Sequence, residues 1–292
     1  MYSLTVQPFL NKTSPSREAE YALVGAPLDI TSSYRSGTRF APNAIRRESQ
    51  HLETLSDRTG LDWADLSLID RGDIELSNNL RDSLKSIEEG IRQVHEGGKV
   101  PFLIGGEHTS TLAALRALEP EAVIVFDAHL DLRDTLFNRR LSHGTYLRRG
   151  HEEQGFDLVI IGARSLSKEE VRYAEENRVE LIKSRELRRN GLEAGIDRVK
   201  DVLMGVESVY LSIDMDALDP SEAPAVANPS PEGLSVTQVL DLINGFIDRR
   251  FMGFDLTEVT PLYDSGLTSI QAAYMIMETL YCFEASRRQR IY

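Results

Sequence analysis

The stretch Phe126-Asp127-Ala128-His129-Leu130-Asp131 carries potential metal ligands at every second position and follows the apolar run Ala122-Val123-Ile124-Val125. Such a run is typical of a buried strand. If the chain stays extended beyond that strand, a period of two puts Asp127, His129 and Asp131 on one side, whereas a helix would spread them apart. We therefore predict a metal site at this strand end. The alternative interpretation is that these carboxylates cap a helix or close a turn.

A second stretch follows the same pattern. Ser208-Val209-Tyr210-Leu211-Ser212-Ile213 is predicted to be a buried strand, and Asp214 and Asp216 follow it, again two residues apart. If the two stretches meet, four carboxylates converge in a crevice of low dielectric constant. They would repel one another there unless some were protonated or bound a cation. Metal binding is the simpler interpretation.

Apolar runs alternate with helix-like periodic segments along the chain. Candidate strands cover residues 21–25, 66–70, 100–104, 123–126, 158–161, 208–213 and 251–256, with a further short apolar run at 179–182. The second of these strands is predicted to end at the turn Arg71-Gly72-Asp73. Candidate helices cover residues 78–96, 110–118, 168–177, 191–204, 235–247 and 269–284. The alternation predicts an α/β fold with a mostly parallel sheet covered by helices on both faces.

The composition is that of an ordinary soluble protein. Of the 292 residues, 41% are hydrophobic and 27% charged, and no linker, repeat or low-complexity run divides them, which predicts a single domain over residues 1–292. The net charge of −13 argues against nucleic acid or an anionic membrane as a partner. Residues 1–10 lack a signal-peptide pattern, and no window is apolar enough to span a membrane. We therefore expect a cytoplasmic protein.

Candidate functional residues share a position just beyond predicted strands. Ligands of parallel sheets bind at the carboxyl ends of the strands. His108 follows the turn Gly105-Gly106-Glu107, and Glu258 follows the last strand. The complete set at this predicted edge is His108, Asp127, His129, Asp131, Asp214, Asp216 and Glu258.

The candidate ligands are carboxylate oxygens and imidazole nitrogens. Because Cys282 is the single cysteine, a disulfide or a thiolate metal site within one chain is excluded. A carboxylate-rich set with two histidines favours manganese, with iron, cobalt or zinc as competitors. Two ions that share bridging carboxylates would lie about 3.5–4 Å apart, and a water between them would become a hydroxide nucleophile near neutral pH.

The chain resembles the ureohydrolase family, which contains the arginases and agmatinases. The motifs that carry the resemblance are Gly25-Ala26-Pro27, Ser36-Gly37-Thr38-Arg39, Gly105-Gly106-Glu107-His108, Asp127-Ala128-His129-Leu130-Asp131, Ser142-His143-Gly144, Ser212-Ile213-Asp214-Met215-Asp216-Ala217-Leu218-Asp219-Pro220 and Ala223-Pro224. They occur in the family's order and cover nearly the whole chain. The resemblance implies an arginase-like, three-layer α/β/α fold and a homo-oligomer, a trimer or a hexamer.

The resemblance also implies roles for individual residues. His108 and Asp131 would bind one of two manganese ions per chain, His129 and Asp216 the other, and Asp127 and Asp214 both. Glu258 would pair with a substrate guanidinium, and His143 would carry a proton to the leaving amine. His51, His95 and His151 have no partners at strand ends, and we expect them to be ordinary residues.

Some positions depart from the family pattern. Glu107 replaces an aspartate, residues 225–228 replace a stretch that contains glycine and threonine, with Asn228 in place of the threonine, and Glu232 replaces a glycine. These departures bear on substrate fit and not on the ligands. Loop 132–141 resembles that of agmatinases, and its arginines Arg133, Arg139 and Arg140 form either a solvated charged loop or a site for a substrate carboxylate.

We therefore predict an amidinohydrolase that cleaves agmatine to putrescine and urea, a step of polyamine biosynthesis. One alternative is a ureohydrolase for another guanidino compound, such as aminopropylagmatine, guanidinobutyrate or arginine. A mononuclear, deacetylase-like enzyme on the related fold is a second alternative, and a non-catalytic relative is a third. Retention of Glu258 beyond the ligand set argues against a non-catalytic relative.

Overall fold

A central β-sheet organises the part of the chain that the computed structural model describes, residues 2–3, 7–11, 15 and 17–288. Within it the strands are β1 (Tyr2–Ser3), β2 (Tyr21–Ala26), β3 (Leu68–Ile74), β4 (Val100–Gly105), β5 (Ala122–Phe126), β6 (Asp157–Ala163), β7 (Glu180–Lys183), β8 (Val209–Asp214) and β9 (Phe251–Thr257). Their order is β1-β3-β2-β4-β9-β8-β5-β6-β7, and all neighbours are parallel except β1 and β3. The predicted mostly parallel sheet is confirmed. The prediction that residues 1–10 lack a signal peptide falls partly outside the described residues.

Helices cover both faces of the sheet. They are α1 (Ala41–Ser49), α2 (Leu80–Glu96), α3 (Thr109–Leu118), α4 (Tyr146–Gln154), α5 (Lys168–Glu176), α6 (Ser184–Asn190), α7 (Leu192–Val202), α8 (Val236–Phe246) and α9 (Leu267–Arg288). On one face α1 and α6 to α9 bury their apolar side chains against the sheet, and on the other face α2 to α5 do so. The three-layer α/β/α arrangement is therefore confirmed.

Helix α2 shows how local sequence sets an element. Leu84, Ile87, Ile91 and Val94 recur every three or four residues and are buried against the sheet. The side chain of Asn79 caps the start by accepting hydrogen bonds from the amides of residues 81 and 82. These are the positions that the periodicity predicts.

The predicted turn at residues 71–73 is wrong, because β3 continues to Ile74. The guanidinium of Arg46, from α1, is buried and pairs with both Asp70 and Asp73. Charged residues at these positions suggested a turn, but a buried charge is tolerated when it is paired and hydrogen-bonded. The strand can therefore remain in the sheet while it carries two aspartates.

The strand at one end of the sheet, β1, was not predicted, and the strand at the other end, β7, was predicted only as a short apolar run. β1 is two residues long, and β7, at the opposite edge, is half-buried, so the apolar run at 179–182 was a weak signal.

The helix predicted over 191–204 is the shorter α7, and a separate helix, α6, precedes it. Gly191, with φ of 84°, lies between the two helices.

Four adjacent central strands position the candidate site. β4, β9, β8 and β5 lie side by side, and their carboxyl ends meet at one edge of the sheet. β4 leads to His108, β9 to Glu258, β8 to Asp214 and β5 to Asp127. Among the described residues no helix combines the length and apolarity needed to cross a bilayer.

Candidate active site

Asp127, His129 and Asp131 converge through a turn, not through a continued strand. β5 ends at Phe126, so the expectation of an extended exit with a period of two is corrected. Asp127 Oδ1 accepts a hydrogen bond of 2.6 Å from the amide of His129. Asp131 has φ of 52°, a left-handed conformation that few residues other than glycine adopt. This folded exit brings the three side chains to one side.

The second aspartate pair is held in a similar way. Asp214 is the last residue of β8, and its Oδ1 accepts a hydrogen bond of 2.7 Å from the amide of Asp216. Arg164, which follows β6, donates from Nη2 to the carbonyl of Asp216 at 2.7 Å and to that of Ser230 at 2.8 Å. Sequence reasoning missed Arg164, although a charged residue just beyond a strand at the same sheet edge was a usable signal.

Two overlapping groups of side chains could hold metal ions. Among the described residues they are His108 with Asp127 and Asp131, and His129 with Asp127 and Asp216. His108 Nδ1 lies 3.2 Å from Asp127 Oδ2 and 3.5 Å from Asp131 Oδ2. His129 Nδ1 lies 3.0 Å from Asp216 Oδ2 and 3.5 Å from Asp127 Oδ1. Asp127 therefore presents one oxygen to each histidine, as a bridging ligand would.

The imidazole of His108 is oriented for ligation through Nδ1. Its Nε2 lies 2.9 Å from Ser212 Oγ, which donates its proton to Asp255 Oδ1 at 2.5 Å. In the neutral ring Ser212 must then accept from Nε2–H, which leaves the lone pair on Nδ1. Nδ1 is buried without a hydrogen-bond partner and faces Asp214 Oδ2 at 3.1 Å, besides the two carboxylates of its group. A cation at this point would satisfy the nitrogen and the surrounding oxygens together.

The residues behind His108 were not predicted as functional. Ser212 and Asp255 are register partners on the adjacent strands β8 and β9, and Tyr146 Oη lies 2.8 Å from His108 Nε2. Two polar residues in otherwise apolar strands were the available signal. The sequence does not show that they face each other, because strand register comes only with the fold.

The carboxylates and imidazoles of this site shift one another's pKa values. Burial and the neighbouring Asp127 carboxylate raise the pKa of Asp131 to about 7. Burial disfavours the charged form of His129, but the carboxylates of Asp216 and Asp127 outweigh it and raise its pKa to about 12. Burial, Asp216 and Asp127 likewise raise the pKa of Asp214 well above its usual range. Protons on the histidines thus occupy the positions that a cation would take, and the hard oxygen and imidazole donors fit such an ion.

One pocket opens over these residues. It is lined by ligand-type side chains, by the predicted Glu258 and His143, and by residues from surrounding loops. The lining consists of Ser33, His129, Asp131, Arg133, Leu136, His143, Gly144, Ser165, Glu170, Asp214, Asp216, Asn228 and Glu258. A small molecule in this pocket would contact both groups.

Glu258 is a buried carboxylate outside both metal-ligand groups. It is 3% exposed, has φ of 69°, and its Oε1 accepts a hydrogen bond of 2.6 Å from the amide of His108. Its own amide donates to the carbonyl of Gly106 at 2.9 Å, and its carbonyl accepts from Ala227 at 3.2 Å. Burial raises the pKa of Glu258 well above its usual range. A cationic ligand in the pocket would favour the charged form.

His143 lies across the pocket between two hydroxyls. Its Nδ1 is 3.2 Å from Thr31 Oγ1, and its Nε2 is 3.0 Å from Ser33 Oγ. Burial lowers the pKa of His143, so the neutral ring is favoured near neutral pH. The three histidines that we expected to be ordinary residues lie elsewhere. His51 and His95 are exposed, and His151 contacts Tyr173 Oη.

The departures from the family pattern have different structural consequences. Glu107 is fully buried beside the pocket, and Asn228 lines it with Oδ1 3.5 Å from Ser33 Oγ. Glu232 is exposed and has φ of 63°, a conformation that a glycine adopts without strain. The change at residue 232 therefore affects the backbone and not the pocket.

The three arginines of loop 132–141 are not equivalent. Arg133 lines the pocket, and its Nη2 lies 3.5 Å from Glu170 Oε2. Arg139 donates to the carbonyl of Ile30, and Arg140 pairs with Asp134 outside the pocket. Only Arg133 of these three is thus in a position to meet a substrate.

The chain is similar in sequence and in fold to several known proteins. A sequence model of the Arginase family matches residues 19–282. The chain is 35% identical to an agmatinase of Pyrococcus horikoshii over 89% of this chain and 90% of that protein. It is also 35% identical to a guanidinobutyrase of Pseudomonas aeruginosa over 89% of this chain and 85% of that protein. The solved structure of agmatine ureohydrolase from Thermoplasma volcanium superimposes with a TM-score of 0.91 at 33% identity, covering 99% and 98% of the two chains.

Proposed function

The chain belongs to the arginase family, as a hydrolase of guanidino compounds, and from this we propose that it is a binuclear manganese enzyme that cleaves agmatine to putrescine and urea. The observation that carries the proposal is one pocket shared by two metal-ligand groups and by a buried carboxylate that belongs to neither group. The proposal includes a cytoplasmic location. It also includes a homo-oligomer, a trimer or a hexamer, as the resemblance implies.

Six side chains of this chain would bind the two ions. His108 and Asp131 would hold one ion, His129 and Asp216 the other, and Asp127 and Asp214 both. The distances of 3.0–3.5 Å between the histidine nitrogens and the aspartate oxygens support this division for Asp127, and for Asp214 on the side of His108. The share of Asp214 in the second ion rests on the resemblance. When bound, the ions supply a nucleophile from water near neutral pH and polarise the substrate.

Glu258 would bind and orient the guanidinium. A guanidinium is planar and cationic, and a carboxylate can accept two parallel N–H bonds from it. The hydrogen bond from the His108 amide fixes Oε1, and the left-handed backbone directs the carboxylate into the pocket. Such a contact would hold the central carbon in one position, which lowers the entropic part of the barrier. His143 would transfer a proton to the leaving amine through Nε2.

The pocket also contains a candidate partner for the substrate tail. Glu170 is 2% exposed and lines the pocket. Its carboxylate accepts hydrogen bonds from Ser167 Oγ at 2.6 Å and from the amide of Leu132 at 3.3 Å, and Arg133 Nη2 lies 3.5 Å away. An ammonium group on the tail, as in agmatine, would be attracted to Glu170. Arg133 favours a second candidate substrate, guanidinobutyrate, whose tail ends in a carboxylate.

Substrate comparison tests the preference. We expect urea release to be fastest with agmatine. For arginine, kcat/KM should be lower by about 10²-fold or more, because its carboxylate would have to share Arg133 with Glu170 and would lie close to that second negative charge. Guanidinobutyrate and aminopropylagmatine complete the panel. Arg133→Met should lower kcat/KM for guanidinobutyrate and leave that for agmatine within about twofold, since only the acidic tail needs the guanidinium.

A different ranking would change the assignment. If arginine matched agmatine in kcat/KM, the proposed agmatine specificity would be wrong. If guanidinobutyrate were the best substrate and lost its advantage in Arg133→Met, the enzyme would be a guanidino-acid hydrolase.

Metal binding should release protons. The carboxylates raise the pKa of His129 to about 12, so the metal-free ring is protonated at neutral pH, and a bound ion must displace that proton. A lower pH favours the protonated ring, and we therefore expect manganese affinity and activity to fall as the pH falls. Calorimetric titration with manganese in two buffers of different ionisation enthalpy measures the proton release. Zero release at neutral pH, or highest activity in acid, would contradict this expectation.

A further inference from the structure

A buried hydrogen-bond group connects His143 to a carboxylate that does not line the pocket. Its centre is Thr31 Oγ1, which lies 2.7 Å from Glu107 Oε1, 3.2 Å from His143 Nδ1 and 3.0 Å from the amide nitrogen of His143. Glu107 is 0% exposed, and Thr31 and His143 are 7% exposed each. Because water is largely excluded, each proton in this group must have a definite position.

Both oxygens of Glu107 act as acceptors. Oε2 accepts from the amides of Ile30 and Thr31, which can only donate. Oε1 accepts from the hydroxyls of Thr31 and Thr109, at 2.7 Å each. The single hydroxyl proton of Thr31 is therefore directed at the carboxylate, which is its nearest and strongest acceptor.

The direction of that proton determines the protonation of His143. With its proton committed to Glu107, Thr31 Oγ1 can only accept from His143, and it has two lone pairs for this purpose. One lone pair accepts from the amide of His143 and the other from Nδ1–H. The neutral ring then carries its proton on Nδ1, and Nε2 is left without one on the pocket side, 3.0 Å from Ser33 Oγ.

We propose that Glu107 and Thr31 are positioning residues that hold His143 as the Nδ1–H tautomer, so that Nε2 is the atom that accepts and returns a proton in the pocket. The catalytic part of this inference rests on the proposed function, through the role of His143. The inference also assigns a role to the glutamate at position 107, because its carboxylate accepts hydrogen bonds from both the amide and the hydroxyl of Thr31.

Glu107→Gln should reverse the tautomer. The two amides at Oε2 require an acceptor, so the glutamine carbonyl takes that position and its NH₂ group faces Thr31. Thr31 then accepts from the glutamine and turns its own proton toward His143 Nδ1, which moves the ring proton to Nε2. We expect kcat to fall about 10²-fold, as for the loss of a proton acceptor, with KM and metal content within about twofold. Thr109→Val, which removes the other hydroxyl from Oε1, is the matched control and should keep the tautomer of the wild type.

A pair of substitutions at Thr31 separates the hydroxyl from packing. Thr31→Val keeps the shape of the side chain and removes the hydroxyl, whereas Thr31→Ser keeps the hydroxyl and removes the methyl group. We expect a loss of kcat of about 10-fold or more in Thr31→Val and near-wild-type kcat in Thr31→Ser. Equal effects of the two substitutions would contradict the inference, and this comparison decides it if Glu107→Gln does not fold.

The tautomer itself can be measured independently of turnover. Long-range ¹H–¹⁵N correlation spectra of zinc-loaded protein with labelled histidine, at alkaline pH, distinguish the two ring nitrogens, and His143→Asn assigns the signal. We expect Nδ1–H in the wild type and Nε2–H in Glu107→Gln. A wild-type ring protonated on Nε2, or an unchanged ring in Glu107→Gln, would overturn the inference. If the wild type hydrolysed no guanidino compound, the proposed function would fail, while these spectra would still decide the position of the proton.

Discussion

Asp127→Ala should leave the protein with neither metal ion firmly bound. Asp127 presents Oδ2 to His108 and Oδ1 to His129, so one substitution removes an oxygen donor from both groups. Changes to residues that only support a ligand typically cost 10–100-fold in metal affinity, and loss of a shared ligand should exceed that. We expect manganese content after gel filtration to fall close to zero and urea release with it. Asp214→Ala should behave in the same way.

The control for this substitution lies in the adjoining loop. Asp134 is an aspartate that pairs with Arg140 and Arg149 and is not in either metal-ligand group. Asp134→Ala should therefore keep the wild-type metal content. Full metal content in Asp127→Ala would show that this carboxylate is not a bridging ligand.

Glu258→Gln should abolish most turnover while the metal content stays unchanged. The amide of His108 requires an acceptor, so the glutamine oxygen would take that hydrogen bond and its NH₂ group would face the guanidinium. The N–H donors of the glutamine would then face the N–H donors of the guanidinium, and the negative charge that attracts the substrate would be lost. We expect kcat/KM for agmatine to fall about 10²-fold or more through loss of orientation. Metal analysis and urea release on the same preparation are the measurements.

Glu232→Gln is the matched control for Glu258→Gln. Glu232 is also a glutamate in a left-handed conformation, with φ of 63° against 69° at Glu258, but it is exposed and does not line the pocket. Any cost of glutamine in that backbone conformation appears in both variants. Wild-type kcat/KM in Glu258→Gln with both ions present would assign this residue a structural role.

The centre of the fold was predictable because buried parallel strands have a distinctive sequence. The runs at β4 and β5 are continuous and apolar, since both faces of these strands are covered by helices. The edges were not predictable in the same way. β1 is too short to show a period, and β7 is only half-buried. β3 carries two aspartates that pair with Arg46, a residue of α1, and this pairing is not visible in the sequence.

The candidate site was likewise predictable in some parts and not in others. The sequence could predict that most of these side chains lie close together, because each follows a strand and the carboxyl ends of parallel strands meet at one edge. The turn that brings Asp127 and Asp131 together was not found, because a left-handed residue at position 131 has no glycine to mark it. Nor were Ser212 and Asp255, which orient His108 only once β8 and β9 are in register.

The central claim is that this pocket holds two ions that share Asp127. Metal analysis of manganese-loaded wild-type protein, after gel filtration to remove weakly bound ions, tests it most directly. We predict two manganese ions per chain. A single tightly bound ion per chain in protein that hydrolyses agmatine would contradict the binuclear site.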